Sequence, residues 1–379
     1  MKRIYLDHAA TTPMSEEVIQ TFANELSHIY GNASSIHQTG RIARKKLDEA
    51  RAILAKTIGA SENEITFTSG GTEADNYAIF GTAYAKSNNG KHIITTTIEH
   101  HAVLHACEQL EREGYEITYL PVDQNGLVDI EDLKKALRDD TILVSVMFAN
   151  NEIGAIQPIK EIGYLLKDHQ ALFHTDAVQA YGSIKIDVEA CHIDLLSATS
   201  HKINGPKGVG FLYQRKGVNL KPIFYGGQQE RKKRAGTENV PAIVAFAKAA
   251  QLKQENLEKN HLHYKELRDV FLKTLQENNV PFTINGDISR TLTHVVNISI
   301  PKTDVETFLI QLDMAGIDAS SGSACTAGSI DPSHVLVAMY GEDTPELRNS
   351  VRFSFGINNT VEDAVLAAEK ISSIIRKYE

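Results

Sequence analysis

Lys202 is the residue from which the chemistry of this chain is most directly read. It stands in Thr199-Ser200-His201-Lys202-Ile203-Asn204-Gly205, just after the apolar run Ile193–Ala198. An amine at the end of a buried strand, with hydroxyls and a histidine before it, is poorly explained as solvated surface. Desolvation disfavours the ammonium form, which is the state a Schiff-base lysine must leave. Three other loops follow short β-rich runs in the same way. Ser69-Gly70-Gly71-Thr72-Glu73 lies between a strand and a helix start. There glycines let backbone approach an anion and free N–H groups favour phosphate, although the same residues also make an ordinary turn. The loop is neither G-x-G-x-x-G nor a P-loop, so it lends no support to a dinucleotide or ATP site. Glu99-His100-His101 sets two adjacent histidines at a helix start. They diverge on a helix, so one ring that stacks or moves a proton is more economical than a metal pair; a capped helix with surface histidines is the plain alternative. His174-Thr175-Asp176-Ala177-Val178-Gln179 ends a strand in a carboxylate, which needs a cation or several donors there. His174 and Asp176 share a strand face and could be metal ligands, but no third ligand is spaced to join them.

Together these loops describe a site for pyridoxal phosphate. That cofactor wants a lysine for an imine, a carboxylate for its pyridine nitrogen, an aromatic group over its ring and a phosphate cradle. Lys202, Asp176, His100 and the Gly71-Thr72 turn supply these in turn.

A separate element, Ser320-Ser321-Gly322-Ser323-Ala324-Cys325-Thr326-Ala327-Gly328-Ser329, is a run of small residues that cannot hold itself by packing. It predicts a mobile loop with an exposed thiol, and Asp331-Pro332-Ser333 after it predicts a helix start whose dipole favours thiolate. Cys107, inside a predicted helix, and Cys191, between Ala190 and His192, read as structural.

The elements that must position these residues alternate. Strands are predicted at 64–68, 92–96, 115–120, 141–147, 171–175 and 193–198, with helices between them from Thr72, His101, Ile130 and Ile159. Strands separated by helices of about ten residues form βαβ units in a mostly parallel sheet, which binds ligands beyond the carboxyl ends of its strands. The tail reads as a smaller α+β unit: helices over 240–259 and 261–277, strands over 294–300 and 351–355, a helix over 304–315 and a last helix from Val361. The helix boundary near Gln254 marks the candidate junction. The chain has 379 residues, and its Lys+Arg 39 against Asp+Glu 48 give a formal charge of −9, which argues against a general nucleic-acid binder. The one basic run, Arg231-Lys232-Lys233-Arg234, reads first as a solvated loop. Three cysteines without C-x-x-C spacing suit a reducing compartment, and no apolar stretch reaches the ~18 residues of a membrane span.

Further motifs are Tyr5-Leu6-Asp7-His8-Ala9-Ala10-Thr11-Thr12, Thr68–Asn76, Asn150-Asn151-Glu152-Ile153-Gly154, Ser200-His201-Lys202 and Ser321-Gly322-Ser323-Ala324-Cys325. Nearly end to end, the chain resembles the NifS/IscS-like cysteine desulfurases of the class V aminotransferase group. The resemblance implies an α/β, fold-type-I PLP-dependent transferase. Its large PLP-binding domain would span 15–254, and a small domain of 1–14 plus 255–379 would carry the Cys325 loop. It further implies that Lys202 holds the cofactor as an imine, that His100 stacks on the ring and moves protons, and that Asp176 and Gln179 meet the pyridine nitrogen and the phenolic oxygen. Gly71, Thr72, Thr199 and His201 would hold the phosphate, with Ser200 in the same contact loop. Thr237 would reach the phosphate across a homodimer interface, so that Arg231–Arg234 flank an active-site loop. Asn151 would lie near ring and substrate, and Arg352 would take the substrate carboxylate bidentately.

The implied reaction removes sulfur from L-cysteine, leaving L-alanine and a persulfide on Cys325, in the cytoplasm, with no membrane or direct nucleic-acid contact. The sulfur would pass to a protein acceptor, a tRNA-thiolating enzyme or an iron–sulfur scaffold. No resident metal is implied; a [2Fe–2S] contact at Cys325 would arise only as a transfer intermediate. The Ser-Gly-Ser-Ala-Cys form belongs to the long-loop subgroup, not the Arg-x-Gly-His-His-Cys form. Ser200 replaces a glycine found in well-known members. The chain ends at Glu379, soon after Arg352, where members that serve a scaffold often run further, and this leans the acceptor towards tRNA thiolation. The rival expectations are another class V PLP enzyme, such as an aminotransferase or selenocysteine lyase, and a non-catalytic sulfur- or RNA-binding module.

Overall fold

The computed structural model of the chain describes residues 2–321 and 332–376. Its strands are β1 (Ile4–Tyr5), β2 (Ile65–Thr68), β3 (His92–Thr96), β4 (Glu116–Leu120), β5 (Thr141–Ser145), β6 (Leu172–Asp176), β7 (Leu195–Thr199), β8 (Gly210–Gln214), β9 (Thr283–Ile284), β10 (Val295–Ser299), β11 (Ile317–Asp318) and β12 (Ser350–Ser354). Seven of them make one sheet in the order β2-β8-β7-β6-β5-β3-β4. The pairs from β4 through β7 are parallel, whereas β8 is antiparallel to both β7 and β2. Six strands therefore point one way and bring their carboxyl ends to a single edge. Strands β2, β3, β5, β7 and β8 are buried at every position, so they show apolar runs rather than alternation, as a sheet covered on both faces requires.

The helices bury their stripes against this sheet. In the helix Gln38–Lys56, Ala43, Leu47, Ala50 and Leu54 recur at helical spacing and are all buried. They join Phe67, Phe173, Phe211 and Phe246 in the main core. Strand β8 and the helices Glu16–His28 and Gln38–Lys56 lie outside the elements predicted from the sequence. Gly205-Pro206-Lys207-Gly208 reads as loop, and the short run Phe211-Leu212-Tyr213 becomes a strand only because it pairs between β2 and β7. Gly210 permits that insertion: a Cβ there would lie 2.9 Å from the Gly70 backbone and 2.6 Å from the Ala198 carbonyl oxygen.

A second core forms around the antiparallel sheet β12-β10-β9. Phe271, Phe308, Phe353 and Phe355 fill it together with the helices Leu257–Glu277, Val305–Met314 and Val361–Ile375. The last of these begins with a capping box formed by Thr360 and Asp363. The N-terminal strand β1 pairs parallel with β11, Ile4 opposite Ile317, and Ile4 and Leu6 are buried in this second core. The chain therefore crosses between the two cores just after Leu6. No helix among the described residues is long and apolar enough to cross a membrane.

Candidate active site

A cavity of about 390 Å³ opens at the carboxyl edge of the large sheet. Gly71, Thr72, His100, Asn151, Asp176, Gln179, Thr199, His201, Lys202 and Arg352 all line it. These residues come from the loops after β2, β3, β5, β6 and β7 and from β12. Ser200 is buried with its hydroxyl packed against Gly205, off the cavity. Thr237 is exposed and does not reach the cavity of its own chain. Cys325 lies outside the described residues. Asp75, Met147, Ala149, Val178, Ser320 and the Ala9-Ala10 pair also line the cavity and were not singled out for chemistry from the sequence.

Lys202 donates its ammonium hydrogens to the carbonyls of Ala9 and Ala10, the latter at 2.8 Å. Burial, reinforced by the charge of Arg352, pulls its pKa down to about 8, against the opposing pull of Asp176 and Asp7. Asp176 ends β6 and accepts the Val178 N–H at 2.8 Å. Burial pushes it up to about 6, while that N–H and Lys202 act in the other direction. Its neighbour Asp75 is pushed up as well, by burial first and then by the charge of Asp176. His174 bonds Ser145 Oγ at 2.8 Å and Ser197 Oγ at 3.0 Å, and burial lowers its pKa to about 3. With both ring nitrogens occupied it is a satisfied core histidine, not a metal ligand.

His100 caps the helix His101–Arg112, its Nδ1 accepting the Ala102 N–H at 3.1 Å. That acceptor role leaves the proton of the neutral ring on Nε2. The ring is open to the cavity, yet the protein around it and then the charges of Lys202, His101, His334 and His105 lower its pKa to about 4. His201 is lowered to about 4 as well, by burial and then by Lys202 and Lys207, and its Nδ1 meets Thr11 Oγ1 at 3.1 Å. Arg352 is buried at the middle of β12, with Nη2 on Asp7 Oδ1 at 2.7 Å and Nη1 on the Asn151 carbonyl at 2.8 Å. Its backbone pairs with Ser320.

The segment Asp7–Thr12 thus ties the site together. Asp7 holds Arg352, the Ala9 carbonyl receives both Lys202 and Gln179 Nε2, and Thr12 Oγ1 joins the His201 carbonyl to the Asn204 N–H. Its apolar and small residues gave no chemical signal when read alone.

The cavity suits pyridoxal phosphate by its donor set. At the start of the helix Gly71–Ala85 a Cβ on Gly71 would lie 2.6 Å from Val178 Cγ2, so a larger residue there would press on Val178 at the cavity wall beside the first-turn N–H groups. A desolvated amine, an ionised carboxylate on a strand end and a neutral imidazole occur in that same cavity.

The family described as aminotransferase class-V matches residues 4–366, and the chain belongs to it; its members are PLP-dependent enzymes. Within that family its relatives are IscS- and NifS-like cysteine desulfurases. The chain is 56% identical over 377 residues to IscS 1 of Bacillus subtilis (strain 168), covering 100% of both chains. It is 48% identical to the cysteine desulfurase IscS of Methanosarcina thermophila, over 99% of this chain and 93% of that one. A solved structure described as a NifS-like protein superposes with a TM-score of 0.93 at 35% identity, over 99% of this chain and 100% of the other.

Proposed function

We propose that this protein is a cysteine desulfurase that takes sulfur from L-cysteine, releases L-alanine and leaves a persulfide on Cys325. The observation that carries this reading is the single cavity shared by Lys202, its pKa drawn down to about 8, with Asp176 and Arg352. Pyridoxal phosphate, when bound, supplies an aldehyde and an electron-withdrawing ring that labilise bonds at the α-carbon of an amino acid. The chain's own groups do the rest. Near neutral pH part of Lys202 is free base, able to take up the aldehyde and then to carry a proton at Nζ. His100 presents Nε2–H as a second proton carrier. Asp176 would supply the charge that balances a protonated pyridine nitrogen, and Gln179 would meet the phenolic oxygen. Gly71, Thr72, Thr199 and His201 would hold the phosphate, Asn151 would contact ring and substrate, and Arg352 would take the substrate carboxylate. In the net reaction the C–S bond of cysteine is replaced by a C–H bond and an S–S bond forms on Cys325. The thiol hydrogen balances the exchange, and no outside oxidant is needed.

The active unit is a homodimer. Thr237 lies off its own cavity, and Tyr30, Ile36 and Tyr225 are exposed by 83%, 91% and 88%, surface that a second copy would cover. Arg234 pairs with Glu73 at 2.8 and 3.0 Å, which ties the loop before Thr237 to the helix that starts the phosphate cradle. The large domain spans 15–254 and the small one 1–14 with 255–379, a division supported by the two cores. The sulfur goes to a protein acceptor in the cytoplasm, a tRNA-thiolating enzyme or an iron–sulfur scaffold.

The test is direct. Loaded protein should show a visible band that Lys202→Ala abolishes, and should release alanine from L-cysteine. Cys325→Ala should still bind cysteine but lose persulfide formation by more than about a hundredfold. Undiminished alanine release from Cys325→Ala would mean that sulfur leaves without this thiol, as in a lyase-type enzyme, and turnover of cysteine to a keto acid without alanine would mean an aminotransferase; either would overturn the reading. Labelled sulfur on Cys325, offered to each acceptor class, separates the two.

A further inference from the structure

Arg352 is held in a way that the reaction alone does not require. Its side chain is almost wholly buried, 4% exposed, and Asp7 is the carboxylate paired with it. One N–H on Nη2 goes to Asp7 and one on Nη1 to the Asn151 carbonyl; Nε is buried without a partner among the described residues. Among the described residues Nη1 and Nη2 make only these contacts, so each keeps one further N–H to offer a ligand in the cavity that Arg352 lines. A buried guanidinium without a counter-charge is costly, and a fork of donors recognises a carboxylate only if its plane is fixed. Asp7 provides both. It can do so because its backbone continues β1 onto the edge of β12: Leu6 accepts the Ser354 N–H at 2.7 Å, and Asp7 bridges Ser354. Asp7 itself does not line the cavity.

We propose that Asp7 is a positioning residue that aims Arg352 at the carboxylate of the amino-acid substrate, an inference that rests on the role given to Arg352 above. It acts on binding of the carboxylate and not on the bonds that change.

The experiment uses the full-length holoenzyme and two variants, Asp7→Ala and Asp7→Asn. Affinity for L-alanine, an unreactive carboxylate probe, is read from the visible band, with cysteamine as a probe lacking the carboxylate. Asp7→Ala should weaken L-alanine binding and raise KM for L-cysteine by about tenfold or more, with kcat falling by less than KM rises. Cysteamine binding should move by less than about twofold. Asp7→Asn keeps an oxygen acceptor for Nη2 and should recover most of the lost affinity. Equal losses for L-alanine and cysteamine, unchanged affinities in Asp7→Ala, or a fall in kcat at constant KM would each overturn the inference. If Asp7→Ala does not take up cofactor, Asp7→Leu, close in size but without an acceptor for Nη2, decides, and an L-alanine to cysteamine ratio equal to the wild type in that variant overturns the inference. A wild-type protein that releases no alanine from cysteine, yet loses L-alanine affinity in Asp7→Ala, would sink the desulfurase reading and leave this one standing.

Discussion

At the scale of single residues, the chemistry depends on an amine that is unusually easy to deprotonate. Burial strips water from the Lys202 ammonium, and Arg352 adds repulsion that Asp176 and Asp7 only partly offset, leaving a pKa of about 8. Only the free base can attack an aldehyde, and its fraction grows as pH rises through that value. Cofactor uptake by the apoprotein, followed by the visible band, should therefore accelerate up to about pH 8 and level off above it. An ordinary lysine would keep the rate climbing towards about pH 10.4, so a rate still rising beyond that plateau would contradict the assigned environment. His100, lowered to about 4, stays neutral throughout this window and adds no inflection.

At the scale of elements, the phosphate cradle depends on an edge strand. Strand β2 lies at the end of the large sheet and runs straight into Ser69–Thr72. Its outer edge is closed by a buried ion pair instead of by another strand. Arg51 on the helix Gln38–Lys56 donates to the Ile65 carbonyl at 2.8 Å, and Glu230 accepts the Phe67 N–H at 2.9 Å. The two side chains meet bidentately at 2.7 Å on both arms, and the Arg51 guanidinium lies 4.5 Å over the Phe67 ring. The pair satisfies the free edge, which would otherwise invite another strand. It also holds three successive left-handed residues, Glu230, Arg231 and Lys232, with φ of 46°, 57° and 68°. Glu230→Gln removes the charge and leaves Arg51 buried without a counter-ion. It should lower stability by about 3–5 kcal/mol, seen as a lower urea midpoint. A change below about 1 kcal/mol, the range of an exposed pair, would show that the pair is not the clasp described.

At the scale of the whole molecule, the proposed dimer makes a prediction that no single chain can meet. If Thr237 serves the partner's phosphate, Lys202→Ala and Thr237→Val damage sites in different ways. A mixed dimer carries Lys202→Ala in one copy and Thr237→Val in the other. One of its sites has an intact lysine and an intact threonine from across the interface, and the other has neither. Mixing the two inactive or weakened proteins should restore alanine release to roughly a quarter of the wild-type level, since about half of randomly paired dimers are mixed and each has one intact site. Restoration to no more than the average of the two parents would place Thr237 in its own chain's site or outside any site.

The sequence alone determined the parallel α/β plan and the groups that head the cavity, Lys202, Asp176, His100 and the Gly71-Thr72 turn, because each of those signals was local. A buried strand shows as an apolar run, and the residue placed just after it is the one brought to the binding edge; Lys202, Asp176 and His100 are legible in that way from the residues alone. Gln179 and Arg352 carried no such local mark and came from the resemblance. Tertiary structure alone decided the rest, because those contacts join distant parts of the chain. Strand β8 exists through its two neighbours, not through its own propensity. Arg352 and Asp7 meet across 345 residues of sequence, and the Ala9 carbonyl meets Lys202 across 193. A backbone carbonyl has no residue type to betray it, and a carboxylate near the N-terminus says nothing of its partner until folding sets β1 beside the C-terminal core.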